Sequence, residues 1–239
     1  MKFGYTKKTK ETKEKLLELM PYELEYTKIF LNIGNAKSKG KRGYVILNEP
    51  KAVKNSVDKK RMFRLFKENK IKSLRFIDLD NFLGKIKAIG YLTIGKDLVL
   101  RDIGLNILGI SQLINFLKSK EYATLKEKKI LEFRVLVFKD KILRTTIKLP
   151  KEKDFVLKQE NCKFVEVKPN FSDEDKKNII NSVKCLGLDL GGVDVLINDK
   201  NEMKIIEVNS GMSLCSKSVR LVFKEITKWW KKNLKKATK

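Results

Sequence analysis

Asp194 and Glu207 have the types and spacing for metal or acid–base chemistry. They sit in two apolar segments, 193–198 and 203–209, joined by the turn-forming tetrad Asp199-Lys200-Asn201-Glu202. A turn centred between Lys200 and Asn201 places Asp194 directly across the hairpin from Glu207, on one face of the sheet. Asn209 lies two residues beyond Glu207 and points the same way. Val193, Val195 and Ile197 then meet Ile206 and Val208 on the opposite, buried face. Like charges directly opposed destabilise a hairpin by up to about 1 kcal/mol, so some cation must offset them. A hard divalent ion is one answer, because two carboxylates and an amide oxygen are a donor set that Mg²⁺ accepts. A solvated face neutralised by Lys204 or Lys200 is the other, and spacing leaves both open. A bulge, or a turn shifted by one residue, would send Glu207 to the face away from Asp194.

A second set of ionisable groups lies upstream. Glu132 and Arg134 alternate with Leu131, Phe133, Val135 and Val137 along a strand over 131–138. That strand turns at Lys139-Asp140-Lys141 and returns over 142–148. A three-residue turn sets Glu132 opposite Lys148; a two-residue turn does not. A charge-lined cleft and an ordinary cross-strand ion pair account for these residues about equally. Arg101 ends the short apolar strand Leu98-Val99-Leu100 and precedes a loop with Gly104 and Gly109. Such a loop can approach phosphates with backbone N–H groups, but the spacing is common and a plain surface arginine fits it as well.

Composition narrows the chemistry. The 239 residues contain no histidine, so Ser-His and Cys-His nucleophile systems are excluded. Cys162, Cys185 and Cys215 are odd in number and far apart, which excludes the usual zinc spacings. Catalysis must therefore rest on carboxylates, Lys, Arg, hydroxyls or a hard metal. With 42 % hydrophobic and 35 % charged residues, the chain has the apolar content of a folded protein. The 54 Lys+Arg against 29 Asp+Glu leave a formal charge of +25. That excess suits a polyanion partner. Lysine spread over the whole chain equally describes a solvated surface. Residues 1–20 are charged and lack an apolar signal segment, and the longest uncharged run, 103–117, is too short and polar to span a bilayer. The expectation is a cytoplasmic protein with no membrane partner.

The elements that must position these groups follow an α+β order. A short amphipathic helix is expected over 10–20, a glycine- and lysine-rich loop over 34–43, and a strand over 44–47. Ser56 is expected to cap a helix running to Asn69, followed by short apolar stretches at 74–77 and 89–94. A further helix is expected over 111–120. Ser172, with Asp175 three residues on, caps a helix that buries Ile179, Ile180, Val183 and Leu186 and stops at Gly187. The last helix starts near Ser216 with Val219, Val222, Phe223, Ile226 and Trp230 at helical spacing.

The run Gly187-Leu188-Asp189-Leu190-Gly191-Gly192-Val193-Asp194-Val195-Leu196, with Ile205-Ile206-Glu207-Val208-Asn209-Ser210, resembles the metal-binding end of the ATP-grasp superfamily. The phage-type ATP-grasp proteins and the ribosomal-protein glutamate ligases are the most similar branches. Leu131-Glu132-Phe133-Arg134-Val135 with Lys148 resembles the nucleotide-binding hairpin, and Leu98-Val99-Leu100-Arg101 the strand that ends in a phosphate-binding residue. The segment from Tyr44 to Asn48, with Asp58-Lys59 and its helix, resembles the opening of the fold. The likeness covers roughly residues 44–215. It departs from the pattern at Ser210-Gly211-Met212, which lacks the usual proline, and in a glycine-poor loop after Arg101.

The resemblance implies an ATP-grasp fold with two α/β lobes, 44–127 and 128–239, clamping a nucleotide, and a reduced basic arm over 1–43. It implies ATP and Mg²⁺ as cofactors, with one or two ions held by Asp194, Glu207 and Asn209 and Mn²⁺ able to substitute. Arg101 would contact phosphate, Glu132 the ribose hydroxyls, and residues 123–126, beginning with Ala123 and Thr124, the adenine. Arg134 and Lys148 would be catalytic, stabilising charge on the transferring phosphoryl group, with Lys148 also touching the nucleotide. The implied activity is a carboxylate–amine ligase working through an acyl-phosphate, on small-molecule or peptide substrates that the basic surface would favour as acidic. Two alternatives stand beside it: a nucleic-acid-binding protein on a degenerate ATP-grasp scaffold, supported by Trp229-Trp230 among lysines, and an ATP-grasp kinase.

Overall fold

The computed structural model describes residues 1–40, 42–79, 98–100, 105–107, 122–125, 127–150 and 162–237. The chain opens with β1 (Lys2–Tyr5), α1 (Lys10–Glu18), α2 (Tyr22–Glu25), β2 (Ile29–Ile33) and β3 (Val45–Leu47). These three strands form a parallel sheet in the order β1-β2-β3. The expected arm over 1–43 is thus a folded layer, and a boundary at residue 43 falls between two paired strands. The reason is local: all five residues of β2 are buried, four of them apolar, and a near-continuous apolar run is what a covered parallel strand requires.

Two helices follow, α3 (Pro50–Val57) and α4 (Lys59–Glu68). The single helix expected from Ser56 is corrected by its neighbours. Pro50 sits in the first turn of α3, where its missing N–H costs nothing, and Asp58 caps α4 by accepting from the Arg61 N–H at 3.0 Å. Ser56 is buried instead, its hydroxyl 2.8 Å from that of Ser210. A four-stranded sheet in the order β4-β7-β5-β6 is built from β4 (Phe76–Asp78), β5 (Leu98–Leu100), β6 (Leu105–Ile107) and β7 (Tyr122–Leu125). The expected segments at 89–94 and 111–120, and Arg101 itself, lie outside the described residues.

The main sheet is antiparallel, ordered β10-β9-β8-β11-β12. Its strands are β8 (Lys129–Phe138), β9 (Lys141–Pro150), β10 (Cys162–Glu166), β11 (Leu190–Asn198) and β12 (Met203–Asn209). The edge strand β10 had no expectation behind it. Helix α5 (Asp173–Lys184) carries the expected Ser172–Asp175 capping box and ends before Gly187, whose φ is +79°. Helix α6 (Ser216–Ala237) closes the chain. No helix among the described residues is long and apolar enough to cross a membrane.

The main sheet buries its two faces differently. On one, Phe133, Val135, Val137, Val193 and Val195 pack with Met62, Phe63 and Phe66 of α4 and Ile179 and Val183 of α5. Residues of the expected 44–127 lobe therefore share a core with the sheet of the second. On the other face Leu136, Phe138 and Leu190, at one end, pack with Val219, Val222, Phe223 and Ile226 of α6 and with the N-terminal layer. Full burial of side chains this size is worth ~1.5–3 kcal/mol each. Beyond Leu136, that face turns from apolar to charged.

The N-terminal layer is joined to the main sheet by close backbone contact. Gly34 has φ +71°, and a Cβ there would lie 2.9 Å from the Gly211 Cα, just past β12. The buried Asn48 side chain accepts from the Asp189 and Leu190 N–H groups at 2.9 Å and donates to the Leu190 carbonyl. Gly34→Ala combines a left-handed backbone that costs roughly 1–2 kcal/mol for an L-residue with a backbone clash. It should lower the melting temperature by about 2–8 °C for a chain of this size, read by differential scanning calorimetry. An unchanged melt would mean that the contact contributes nothing.

Candidate functional site

Register determines which side chains meet on the charged part of that face of the main sheet. Across five strands, Glu166 lies opposite Thr146, Thr146 opposite Arg134, Arg134 opposite Asp194, and Asp194 opposite Glu207. The result is one polar row running from edge to edge. Asn209 lies opposite Gly192, one step toward the covered end. The expected pairing of Asp194 with Glu207 is present, reached through two offsets that cancel. The turn sets Val195 opposite Ile205, and a bulge at Ile206 then restores Asp194 to Glu207. Ile205, not Ile206, therefore faces Val195.

The first hairpin works the same way. Phe138 pairs with Lys141 across a two-residue turn, which alone would misplace Lys148. A bulge at Leu143 shifts the register by one, so that Phe133 faces Ile147 and Phe164 of β10 faces Lys148. Glu132 and Lys148 are thereby brought together. The turn is held by Lys139 at φ +50°, whose ammonium lies 2.5 Å from an Asp189 oxygen.

The charged groups form one connected cluster. Lys148 donates to Glu132 at 2.5 Å and to Asp194 at 2.9 Å. Arg134 holds Asp194 bidentately, through Nε at 2.8 Å and Nη2 at 2.9 Å, the fork geometry in which guanidinium–carboxylate pairs are strongest. Lys129 donates to the second Glu132 oxygen at 2.6 Å. At β12, Lys59 of α4 lies 2.9 Å from one Glu207 oxygen, and Asn209 donates to the other at 2.8 Å. Lys148, Glu132 and Asp194 are 6 %, 8 % and 3 % exposed. Burying such charges is tolerable only because they are mutually paired.

Burial pushes the Glu132 carboxyl up, but the Lys148 and Lys129 ammonium groups outweigh it and hold it below its ordinary value. Burial likewise works against the Arg134 charge, and Asp194 more than restores it. Among the described residues, Lys59, Lys129, Arg134 and Lys148 face the carboxylates of Glu132, Asp194 and Glu207, cations of the kind that suit polyphosphate.

Lys204 and Lys200 do not supply this neutralisation. Lys204 pairs with Glu127 at 2.6 Å and Glu202 at 3.5 Å. Lys59 carried no signal for this contact, because it reaches Glu207 only through folding, and Lys129 stands three residues before Glu132 in the same strand, a spacing that plain alternation assigns to the opposite face. Among the described residues no group of three or more His, Cys, Asp or Glu side chains forms a metal cage. Asp194, Glu207 and Asn209 offer two carboxylates and an amide from adjacent strands. These hard oxygens match Mg²⁺ chemistry, with Lys59 and Arg134 as the cations that an ion would partly displace.

Ala123 and Thr124 are fully buried in β7. Thr124 lies opposite Phe76 on one side and Val99 on the other, and Ala123 opposite Ile77. The expected adenine hinge thus falls on a strand interior at these two positions, and Lys126 lies outside the described residues. Next to the charged row lies a cavity of about 390 Å³, floored by Arg134, Leu136, Arg144 and Thr146 and walled by Met212 and Ser218. Arg144 is held there by Cys215 at 2.7 Å and the Ser218 hydroxyl at 2.8 Å.

Residues 105–225 match the model of the RimK-like ATP-grasp domain. A search of curated protein sequences returns no match. Among solved structures, the D-alanine–D-alanine ligase from Bacillus anthracis complexed with ATP is similar with a TM-score of 0.62 at 14 % identity, over 91 % of this chain and 88 % of that one. The ATP-grasp ligase PsnB complexed with a minimal precursor, Mg and ADP gives a TM-score of 0.57 at 18 % identity over 72 % of this chain. The chain spans 57 % and 55 % of the length of the first PsnB structures that it matches. At these identities the likeness establishes the fold.

Proposed function

The chain belongs to the RimK-like ATP-grasp family, and on that basis we propose that it uses ATP to join a carboxylate to an amine. The row Arg134–Asp194–Glu207, with Lys148 bridging Glu132 and Asp194, is the observation that carries this reading. Phosphoryl transfer asks a protein for in-line positioning and fixed charge, which this cluster offers without histidine.

In this reading the triphosphate lies over the row. Asp194, Glu207 and Asn209 would hold Mg²⁺, which would supply charge neutralisation to the phosphates. Lys148, fixed between two carboxylates, donates to the transferring phosphoryl group, and Arg134 stabilises the charge that builds as it moves. Glu132 keeps accepting capacity on both oxygens for ribose hydroxyls beside its two lysines. Arg101 is assigned a phosphate contact by resemblance alone. The substrate carboxylate enters the adjoining cavity on the Arg134 side, takes the γ-phosphoryl group as an acyl-phosphate, and loses phosphate when the amine attacks its carbonyl. Mn²⁺ substitution, a second ion and an acidic peptide or small-molecule substrate belong to the same proposal, as does a cytoplasmic setting.

A thermal-shift titration tests the nucleotide site. Mg-ATP at about 100 times Kd should stabilise the protein by ~2.7 kcal/mol, a rise of roughly 5–10 °C. Glu207→Gln should lose the Mg²⁺-dependent part of that rise. No shift at saturating Mg-ATP would remove the ligase reading. ADP release with a carboxylate alone, leaving a stable phosphorylated product, would replace it with a kinase.

A further inference from the structure

Arg144 stands where the main sheet turns apolar. In β9, Thr146 lies opposite Arg134 and Arg144 lies opposite Leu136, one step toward the end where α6 packs. Arg144 thus shares the face of the charged row, and its side chain is only 16 % exposed. A guanidinium kept from water needs partners. Its Nη1 donates to the Cys215 sulfur at 2.7 Å and to the buried Ser218 hydroxyl at 2.8 Å, both at the N-terminal end of α6. Its Nε reaches Glu166 at 3.3 Å, and Lys217 competes for the same carboxylate oxygen at 2.6 Å. Nη2 has no hydrogen-bond partner among the described residues. The planar head is therefore fixed through Nη1 while the two donors on Nη2 stay open.

Arg144 lines the cavity of about 390 Å³ beside the charged row, a size within the range of small-molecule sites. Leu136, Met212 and Leu214 give that cavity buried, apolar walls. The other charges lining it are already engaged. Asp194 receives the Arg134 fork, and Glu11 pairs with Lys15 at 2.7 Å. Arg144 is left with donors to offer a ligand. Arg134 and Arg144 are diagonal neighbours on paired strands, roughly 7–8 Å apart along the backbone. A short carbon chain between two carboxyl groups spans that interval.

We propose that Arg144 determines specificity by binding a second, non-reacting carboxylate of the substrate, so that the cavity selects short-chain dicarboxylic acids. Placing the reacting carboxylate on the Arg134 side rests on the ligase reading; the anion site at Arg144 does not. A diacid satisfies Nη2 while its other carboxylate meets Arg134. A monoacid of equal length leaves one of the two arginines unmet, and a site built to pair a polar group discriminates against the ligand lacking it.

Isothermal titration calorimetry on the full chain, without nucleotide, compares glutarate with glutaramate, which has the same length and a single carboxylate. Glutarate should bind at least about tenfold more tightly, the contribution of one hydrogen-bonded charged group. Arg144→Met should bring the two ligands to equal affinity. A merely structural arginine would weaken both together and leave their ratio unchanged. Equal affinities in the wild type, no measurable glutarate binding, or a ratio that survives Arg144→Met would overturn the proposal. Inorganic phosphate held through Arg144 as tightly as glutarate would overturn it in favour of a phosphoryl group. Glu166→Gln, on the edge strand, keeps Arg144 and its α6 partners, and so tests the same charge if Arg144→Met does not fold. It should tighten glutarate by about two- to fivefold, as an exposed opposing charge is removed. Unchanged or weaker glutarate binding there would also overturn the proposal. The wild-type Mg-ATP melting shift reports the nucleotide site separately. A glutarate preference without that shift removes the ligase reading alone; the shift without the preference removes the diacid site alone.

Discussion

Asp194→Asn should lower the ATP-dependent reaction rate by roughly 10²–10³-fold or more, the range seen when one preorganised electrostatic element is removed from a site. Asp194 takes part in every interaction at the centre of the row. It receives the Arg134 fork and the Lys148 ammonium, and it is the more buried of the two carboxylates assigned to the metal. The amide keeps the shape and one accepting oxygen, but it presents N–H groups to Arg134 and loses the charge that orients both cations. Initial rates of ADP release, with circular dichroism to verify folding, read the effect. A rate near wild type would show that the reaction does not pass over this row.

Lys148→Met should have the largest effect on stability. The ammonium bridges Glu132 and Asp194, and breaking a buried ion pair by removing one partner costs about 3–5 kcal/mol. That corresponds to a melting temperature lower by roughly 6–20 °C. The double variant Lys148→Met/Glu132→Gln should recover part of this loss, because the orphaned charge goes with its partner. The variant should also respond differently to acid. In the native protein Glu132 is held below its ordinary value of about 4.3. Its contribution is therefore complete above that value and is lost as pH falls through the lower, folded one. Without Lys148, burial is opposed mainly by Lys129, so the Glu132 value rises and acid unfolding begins at a higher pH. Denaturation followed from pH 7 downward checks the sign. An acid midpoint shifted to lower pH, or not shifted, would contradict the assigned balance.

Much of this site was legible in the sequence, for reasons that particular residues make plain. Asp194, Glu207, Glu132 and Arg134 declare themselves because a charge in an apolar strand contradicts its surroundings, and period-two alternation says which side it takes. Capping at Ser172 and termination at Gly187 are likewise local chemistry. Most of what stayed hidden was set by distant partners. Ile29–Ile33 has no alternation, since both of its faces are covered, and so gives no strand pattern. Lys59 is one among many lysines until folding places it beside Glu207; Lys129 was hidden for a local reason, since three residues of plain alternation put it on the face away from Glu132. The Gly34–Gly211 contact joins segments that carry no sign of each other.

The two bulges, at Ile206 and Leu143, make the site a matter of parity. Each hairpin reaches its functional pairing by an odd correction to an odd offset, one introduced by the turn and the other undoing it. Turn length and bulge therefore form a matched pair: deleting either residue alone exchanges the strand's inner and outer sides, burying charge and exposing core. Change in these hairpins is thereby confined to steps that preserve evenness, so that a two-residue insertion is a smaller disturbance than the loss of a single isoleucine or leucine.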